Sequence, residues 1–332
     1  MSAKVEALQT VPIRDAVAIL RRGGLVAFPT ETVYGLGADA SNPAAVARIY
    51  AVKGRPAGHP VIVHIGDVGQ LARWAREIPE AATKLAARFW PGPLTLVLGR
   101  APGVGGQLTG GQDTIGLRIP GHPVALQLLR EFDGGIAAPS ANRFGRISAT
   151  TAEHVRMDLG SEVDLVLDGG ACEIGIESTI VDLSRGRPVL LRPGRIAAGD
   201  IAATLGVAPL SRDPDAPRAP GTLAAHYAPR QPLRLIESDQ WESVRGISHG
   251  RGVLSFRSPP EGDLSTMWIE APRQPNQYGH DLYAHLRALD SSGCDQILVE
   301  EPPATAEWAA IRDRLGRSLK NPARAEIGRA HV

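Results

Sequence analysis

The chain has 332 residues, 43% of them hydrophobic and 21% charged, which is enough to build two globular domains with full cores. Acids and bases nearly cancel to a formal net charge of +1 at pH 7, whereas proteins that coat nucleic acid usually carry a clear basic excess. No apolar run approaches the roughly 20 residues that span a bilayer, and the N-terminus lacks the pattern of a signal peptide. We therefore expect a cytoplasmic protein that neither enters a membrane nor binds nucleic acid tightly.

The two cysteines, Cys172 and Cys294, lie far apart and have neither CxxC spacing nor a Cys/His pattern. This count argues against a zinc site and against a disulfide framework. We expect two free thiols, although a single bridge also fits the count.

Helical and extended patterns alternate along most of the chain. Short apolar runs bounded by glycine and proline predict strands, and apolar residues three and four apart predict helices. The segments 29–37 and 101–112 are predicted to be loops. The predicted helices are 12–22, 43–53, 67–77, 79–89, 123–132, 151–157, 281–289 and 308–319. The predicted strands are 25–28, 61–65, 94–98, 114–120, 165–167, 178–182, 189–194, 233–236, 252–256 and 297–299, and the segment 136–142 is predicted to be a buried strand that runs into a polar turn.

The helix that starts at Pro43, with Asn42 as its N-cap, ends in a basic turn that contains Lys53 and Arg55. Glycine and proline stop the helix there and hold both cations on a stiff turn, which suits a phosphate or a carboxylate. The alternative is a solvated helix end whose cations complement the helix dipole.

Other predicted strands also end in polar residues. Strand alternation places Arg118 opposite its apolar neighbours, where an inward-facing arginine needs an anion. Ser140 and Asn142 follow a buried strand, and their side chains suit either a helix cap or a ligand phosphate. Ligands of open α/β sheets tend to lie beyond strand ends, so these residues are candidates for one crevice.

Six motifs follow one another in the order found in the YrdC-like domain, and the chain resembles that family over nearly its whole length. They are PTETVYGLG (29–37), KGRP (53–56), LRIP (117–120), PSAN (139–142), STIVD (178–182) and LLRPG (190–194). The Pro-rich segment with HYAP (226–229) and the α/β domain after it resemble the longer, two-domain form of threonylcarbamoyl-AMP synthase.

The resemblance implies an α/β fold with a twisted mixed sheet and flanking helices, then a Pro-rich linker and a small Rossmann-like α/β domain. We place the YrdC-like catalytic domain at 1–206, a linker that packs on the active site at 207–232, and the C-terminal domain at 233–325. The last residues, 326–332, resemble a translated sequencing adapter, and we interpret them as a non-native tail.

The resemblance also implies a reaction. L-threonine, bicarbonate or CO2, and ATP would condense to threonylcarbamoyl-adenylate with release of pyrophosphate. A separate, transiently bound transferase would then pass the threonylcarbamoyl group to the adenosine beside the anticodon in tRNA. ATP is a substrate, Mg2+ is expected to accompany it through phosphate and water ligands, and no tightly bound cofactor or protein metal ligand is implied.

Site residues are carried over from the family at matching positions. Lys53 and Arg55 receive the catalytic assignment, and with Ser140 and Asn142 they match the family's KxR…SxN signature. The residues assigned to ATP are Arg55, His59, Thr114, Ser140, Asn142, Ser148, Arg192 and Tyr227, and those assigned to threonine are Thr32, His64, Arg118, Ala138 and Ser178. The chain departs from the family at His59, where Asn or Lys is more frequent, and at 223–225, which are usually more basic and aromatic. No side chain stands out as a general base.

The sequence is less consistent with three other functions. The first is a nicotinamide enzyme: Gly35, Gly37 and Ala40 match a dinucleotide fingerprint, but the next helix starts too late and no acidic residue lies near position 57. A non-catalytic RNA-binding YrdC-like protein is disfavoured by the net charge and by an aromatic content of 5%. A carbamoyl-transfer maturation enzyme with this domain would carry zinc-finger cysteines, which two lone cysteines do not supply.

Overall fold

The computed structural model describes residues 12–211, 213–222, 226–241 and 250–319. The segment 326–332 and the departure at 223–225 lie outside these residues. The chain divides into two compact units. The first takes in the residues up to Phe144 and those from Ala149 to Thr222, and the second takes in Gly145–Ser148 and the residues from Leu223 onward. The domain boundaries given above stay predictions.

A mixed sheet forms the centre of the first unit. Its strands, in the described residues, lie in the order β7-β1-β2-β6-β3-β5-β4-β8-β9. The strands are β1 (Val26–Phe28), β2 (Gly35–Asp39), β3 (Ile62–His64), β4 (Leu94–Gly99), β5 (Thr114–Arg118), β6 (Ile136–Ala137), β7 (Leu165–Val166), β8 (Thr179–Asp182) and β9 (Val189–Arg192).

Helices flank both faces of this sheet. They are α1 (Ile13–Arg21), α2 (Pro43–Lys53), α3 (Leu71–Trp74), α4 (Glu80–Phe89), α5 (Gly106–Thr109), α6 (Pro123–Phe132), α7 (Ala152–Leu159) and α8 (Ala198–Leu205), with 3-10 turns at Val68–Gln70 and Gly160–Glu162. The predicted cap of α2 is confirmed, because the Asn42 side chain accepts hydrogen bonds from the amides of Ala44 and Ala45.

The two faces of the sheet are covered differently. One face contributes Val63, Leu96 and Leu117 to the main hydrophobic core, together with side chains from α2, α4 and α8. On the other face, α1 and α6 pack a second core against Phe28 and Ile136, at the half formed by β7, β1, β2 and β6. The remaining half of that face, from β3 to β9, carries a small apolar cluster and the polar residues described below.

Strand β2 begins at Gly35, so the prediction of a loop over 29–37 is wrong at its C-terminal end. Gly37 lies against Phe28 and Ile136, and a Cβ added there would come within 2.8 Å of the Phe28 ring and 2.9 Å of Ile136 Cγ2. Two glycines therefore let β2 pair with β1 beneath bulky neighbours, although glycine has a low preference for strands.

The second unit contains a parallel sheet. Its strands are β10 (Leu233–Ile236), β11 (Arg251–Ser255), β12 (Met267–Glu270) and β13 (Gln296–Glu300), in the order β10-β13-β11-β12. Its helices, among the described residues, are α9 (Pro275–Asp290) and α10 (Ala309–Ser318), preceded by a 3-10 turn at Ala306–Trp308. Strand β12 was not predicted. The mixed sheet and the second, smaller parallel sheet confirm the predicted fold class. None of the helices in the described residues is both long and apolar enough to cross a membrane.

Candidate active site

Strand alternation brings several predicted site residues to one half of one sheet face, the half formed by β3, β5, β4, β8 and β9. We call it the half-face. Strands β3 and β5 are parallel, and His64 lies beside Arg118 in their register. Thr114 and Arg118 occupy the two ends of β5 and point to the same face, because they are four residues apart. The intervening Leu117 points the other way, into the main core.

Arg118 is buried, and its guanidinium fork is already engaged by protein atoms. Nη2 donates to Glu31 Oε1 at 2.7 Å, Nη1 to Thr32 Oγ1 at 2.9 Å and Nε to Gly92 O at 3.2 Å. The second oxygen of Glu31 accepts from the amide of Gly121 at 2.9 Å. Arg118 was predicted to need an anion, and Glu31 supplies it. The paired charges fix the guanidinium plane beside the hydroxyl of Thr32.

His64 is neutral at physiological pH. Burial, with a smaller contribution from the charge of Arg118, lowers the pKa of His64 to about 3 from 6.5. Its Nδ1 atom is buried and has no hydrogen-bond partner among the described residues. An unpartnered buried nitrogen is costly, so a ligand that brought a donor to it would gain binding energy.

Ser178 and Arg192, which were assigned to different substrates, are direct neighbours at the β8–β9 end of this half-face. Arg192 donates from Nη2 to Ser178 Oγ at 3.0 Å and from Nε to the Ser178 carbonyl at 3.0 Å. Thr95 shares a hydrogen bond with the Ser178 hydroxyl at 2.8 Å. Arg192 also donates to Pro220 O at 3.0 Å, so the chain after residue 213 contacts this end of the site.

Lys53 holds the PSAN loop. It is the last residue of α2, which ends because Gly54 adopts a left-handed conformation with φ 61°. Its ammonium is buried and donates to the carbonyls of Ser140, at 2.6 Å, and Asn142. Burial, followed by the charge of Arg55, lowers the pKa of Lys53 well below its ordinary value. In return the amide of Phe144 donates to Lys53 O at 2.8 Å, so the KGRP turn and the PSAN loop fix each other.

Arg55 and His59 lie around the ring of Phe144. The Arg55 guanidinium carbon is 5.6 Å from the ring centroid, and the imidazole centroid of His59 is 5.5 Å from it. Arg55 also donates to Pro60 O at 2.7 Å. Burial, followed by the nearby Arg55 and Arg218, lowers the pKa of His59. A neutral imidazole, a cation and an aromatic ring thus lie together just before β3.

Thr32 borders the Arg118 end of the face, and Ala138 lies beside Ile62, midway along it. The amide of Ala138 donates to Ile62 O at 2.9 Å, and this bond extends the β6–β3 pairing by one residue. The buried hydroxyls of Thr32 and Thr30 lie 2.9 Å apart, and Thr30 Oγ1 also closes the turn by donating to Val33 O.

Ser148 and Tyr227 belong to the second unit. Arg287 donates to the carbonyls of Ile147 and Ser148, at 2.6 Å and 3.3 Å. The Tyr227 ring stacks on Tyr283, with 5.8 Å between the centroids and 26° between the ring planes. Tyr227 also has a φ of 63°, a left-handed conformation that is uncommon outside glycine. Their assignment to ATP stays a prediction.

Three residues of the half-face and its surroundings were not among the predicted site residues: Glu31, Thr95 and Phe144. Glu31 lies inside the PTETVYGLG motif. It could have been found as the carboxylate that an inward-facing Arg118 needs. Thr95 was hidden because threonine is an ordinary strand residue, and Phe144 because only tertiary packing brings it to Arg55.

Comparisons with known proteins show which family the chain belongs to. A family model described as "Telomere recombination" (Sua5, YciO, YrdC) matches residues 18–194, and a model of the threonylcarbamoyl-AMP synthase C-terminal domain matches residues 196–318. Threonylcarbamoyl-AMP synthase of Pyrococcus abyssi is 39% identical over 94% of this chain and 95% of its own length. The chain belongs to the threonylcarbamoyl-AMP synthase family. The Bacillus subtilis threonylcarbamoyl-AMP synthase is 42% identical over 91% of each chain.

Solved structures match this chain over different lengths. The crystal structure of P. abyssi Sua5 complexed with L-threonine matches with a TM-score of 0.84 and 38% identity, over 92% of this chain and 94% of that one. Escherichia coli YciO matches only 57% of this chain, with a TM-score of 0.51 and 27% identity. The resemblance found in the sequence is confirmed, and the chain is an enzyme of the nucleotidyltransferase type. Within the part of the chain that the structure describes, no group of three His, Cys, Asp or Glu side chains is placed to hold a metal ion.

Proposed function

We propose that this enzyme condenses L-threonine, bicarbonate or CO2, and ATP into L-threonylcarbamoyladenylate. The amine of threonine would add to CO2 and lose a proton, giving an N-carboxylate. One oxygen of this carbamate would attack the α-phosphorus of ATP, and pyrophosphate would leave. The relatives' shared name and the threonine complex of the P. abyssi protein support this reaction over a non-catalytic RNA-binding role.

The observation that carries the proposal is the division of one half-face into two chemically different ends. Arg118, Thr32 and His64 lie at one end of β3 and β5, while His59, Arg55 and Thr114 lie at the other. Thr114 and Arg118 are about 13 Å apart, at roughly 3.3 Å per strand residue. That separation would accommodate an amino acid at one end and a nucleotide at the other, with the reacting groups between them.

At the threonine end, we assign the carboxylate of the substrate to Arg118 and to the hydroxyl of Thr32. Neutral His64 would accept a hydrogen bond at Nδ1 from the substrate, which satisfies a nitrogen that is otherwise buried without a partner. Ala138 and Ser178 would complete the walls of this end. Because the site selects a short side chain with a hydroxyl, serine would bind but would fill it less well.

We assign the ATP phosphates to residues of the KGRP turn and the PSAN loop at the ATP end, and to Arg192 of β9, which lies beside Ser178. Lys53 and Arg55 receive the catalytic role of neutralising charge that develops at the α-phosphate, with Lys53 also holding the PSAN loop in place. The remaining ATP assignments are His59, Thr114, Ser140, Asn142, Ser148, Arg192 and Tyr227. Mg2+ would reach the site with ATP, bound mainly by phosphate oxygens and water.

Carbamates decompose in water, so the product has to be handed on quickly. We propose that a separate transferase takes it from this enzyme and modifies the tRNA adenosine, and that both work in the cytoplasm. The chain from 213 to 222 would help to exclude water: Pro220 accepts from Arg192, and Ala219 packs on Ile62 and Ile180 of the half-face.

The experiment is pyrophosphate release from ATP and bicarbonate, with and without L-threonine. We expect threonine-dependent release that serine supports poorly and that Lys53→Ala and Arg118→Ala abolish. Arg48→Ala is the matched control, because Arg48 makes an exposed ion pair with Asp164 far from the half-face. If threonine has no effect while the protein binds tRNA tightly at physiological salt, the RNA-binding alternative replaces the proposal.

A further inference from the structure

The second unit contains a cavity that the reaction described above does not use. Its volume is about 400 Å³, within the range of small-molecule sites. The lining side chains that matter here are Ser238, Phe256, Arg257, Arg273, Glu300 and Trp308.

The cavity lies where strands of the parallel sheet end. Ser238 follows β10 by two residues, Arg257 follows β11 by two residues, and Glu300 is the last residue of β13. Because these three strands are parallel neighbours, their carboxyl ends share one edge of the sheet. Open parallel sheets bind their ligands in the crevice outside this edge.

The lining carboxylate is fully used by the protein. Glu300 is buried and accepts from Ser255 Oγ at 2.7 Å, Phe256 N at 3.0 Å, Ser238 Oγ at 3.0 Å and Arg257 Nε at 3.3 Å. These bonds hold Arg257 in one orientation, so its position is set before any ligand arrives. Glu300 therefore fixes the position of Arg257, and these four hydrogen bonds compensate its negative charge.

Arg273 is held differently. It donates from Nη2 to Phe256 O at 2.8 Å, and its Nε and Nη1 groups have no partner among the described residues. The other lining carboxylate, Glu301, forms an ion pair with Arg312 at 2.7 Å. Each lining glutamate is already paired with an arginine, Glu300 with Arg257 and Glu301 with Arg312, whereas Arg273 forms no ion pair among the described residues, which favours an anion beside it.

One of the two helices that begin at this edge strengthens this preference. Arg273 lies two residues before α9, whose first turn has no acidic side chain and no side-chain cap. The start of α10 does not contribute, because the 3-10 turn before it already uses the amides of Trp308 and Ala309. Uncapped amides at helix N-termini bind phosphate groups well, and arginine forks match phosphate geometry. The rings of Trp308 and Phe256, in edge-to-face contact at 5.6 Å, form an apolar wall beside the cations.

We propose that this cavity is a second ligand site, which binds a small phosphorylated molecule of about the size of a sugar phosphate through Arg257 and Arg273. None of its lining residues is assigned to threonine or ATP above, so we propose it for a ligand other than the two substrates.

The test is isothermal titration calorimetry of the full-length protein with ribose 5-phosphate, inorganic phosphate and malonate. We expect one equivalent of ribose 5-phosphate to bind with a Kd below about 1 mM, and malonate to bind more weakly. Arg273→Gln should weaken binding about tenfold or more by removing charge-assisted hydrogen bonds, and it should leave threonine-dependent pyrophosphate release unchanged. Arg234→Gln, an exposed arginine of β10 outside the cavity, is the matched control and should bind as the unaltered protein does.

Three results would overturn the proposal. The first is the absence of binding heat for ribose 5-phosphate and phosphate up to 10 mM, and the second is malonate binding in place of phosphate. The third is ribose 5-phosphate binding that Arg55→Gln removes and Arg273→Gln leaves intact, because this places the ligand in the first unit. Pyrophosphate release is measured separately, so a failure of the proposed reaction would show there and not in this titration.

Discussion

Replacement of Arg118 by lysine separates the charge of this residue from its shape. The guanidinium makes three hydrogen bonds, to Glu31 at 2.7 Å, Thr32 at 2.9 Å and Gly92 O at 3.2 Å. Lysine keeps the positive charge beside Glu31 but cannot present a planar fork to a second carboxylate. We expect the loss of one charge-assisted hydrogen bond to threonine, about 1.5–3 kcal/mol, which raises KM for threonine about 10- to 100-fold.

The assay is threonine-dependent pyrophosphate release at saturating ATP, followed by the same measurement with ATP varied. KM for ATP should change by less than about twofold, since the nucleotide lies at the other end of β5 in the proposed arrangement. Urea unfolding should show a fall in the free energy of unfolding of about 1–3 kcal/mol, because the bonds to Thr32 and Gly92 O are lost.

Arg48→Lys is the control for this substitution. Arg48 also uses two nitrogens, donating to Gly23 O and to Asp164, but its side chain is 44% exposed. Its replacement should change the free energy of unfolding by less than about 1 kcal/mol and neither KM. If Arg118→Lys leaves KM for threonine within twofold, or raises KM for ATP instead, the assignment of Arg118 to the threonine carboxylate is wrong.

Three further substitutions test other parts of the first unit. Because the folded-state pKa of His64 is lowered to about 3 from 6.5, the unfolded chain takes up the proton first on acidification, and stability is lost as the pH falls below 6.5. His64→Gln should remove about 2 kcal/mol of that loss between pH 6.5 and 5, as measured by urea unfolding; equal pH slopes would contradict a buried neutral imidazole. Gly37→Ala should destabilise by about 1–3 kcal/mol because its Cβ would come within 2.8 Å of Phe28, whereas Gly116→Ala, whose nearest contacts are 3.5 Å, should change the thermal midpoint little. Lys53→Met should abolish pyrophosphate release and lower the free energy of unfolding by about 2–5 kcal/mol, because two loop carbonyls lose their donor. If activity is lost while the free energy of unfolding is unchanged, Lys53 has a catalytic role and no structural one.

Residue types and spacing predicted the local parts of the site well. The Asn42 cap, the glycine end of α2 and the alternation of β5 are each decided by neighbours within a few residues, and the structure confirms them. The partners that are distant in sequence could not be predicted in this way. Glu31 is 87 positions from Arg118, and nothing in the local sequence of either residue states that they pair. Only the order of the strands in the sheet brings the two together.

The glycines of β2 show why pattern alone misplaced one strand of the first sheet. A glycine-rich run after a buried strand is typical of a loop, because glycine adds no packing energy to a sheet. In this fold the absence of a side chain is what allows Gly37 to lie beneath Phe28 and Ile136. The close fit is set by the packing of α1 and α6 on this half of the sheet face, which leaves the half from β3 to β9 to other residues. Because α1 and α6 cover only the half formed by β7, β1, β2 and β6, the glycines of β2 are needed there. The other half, from β3 to β9, is left as the half-face on which the proposed substrates would lie.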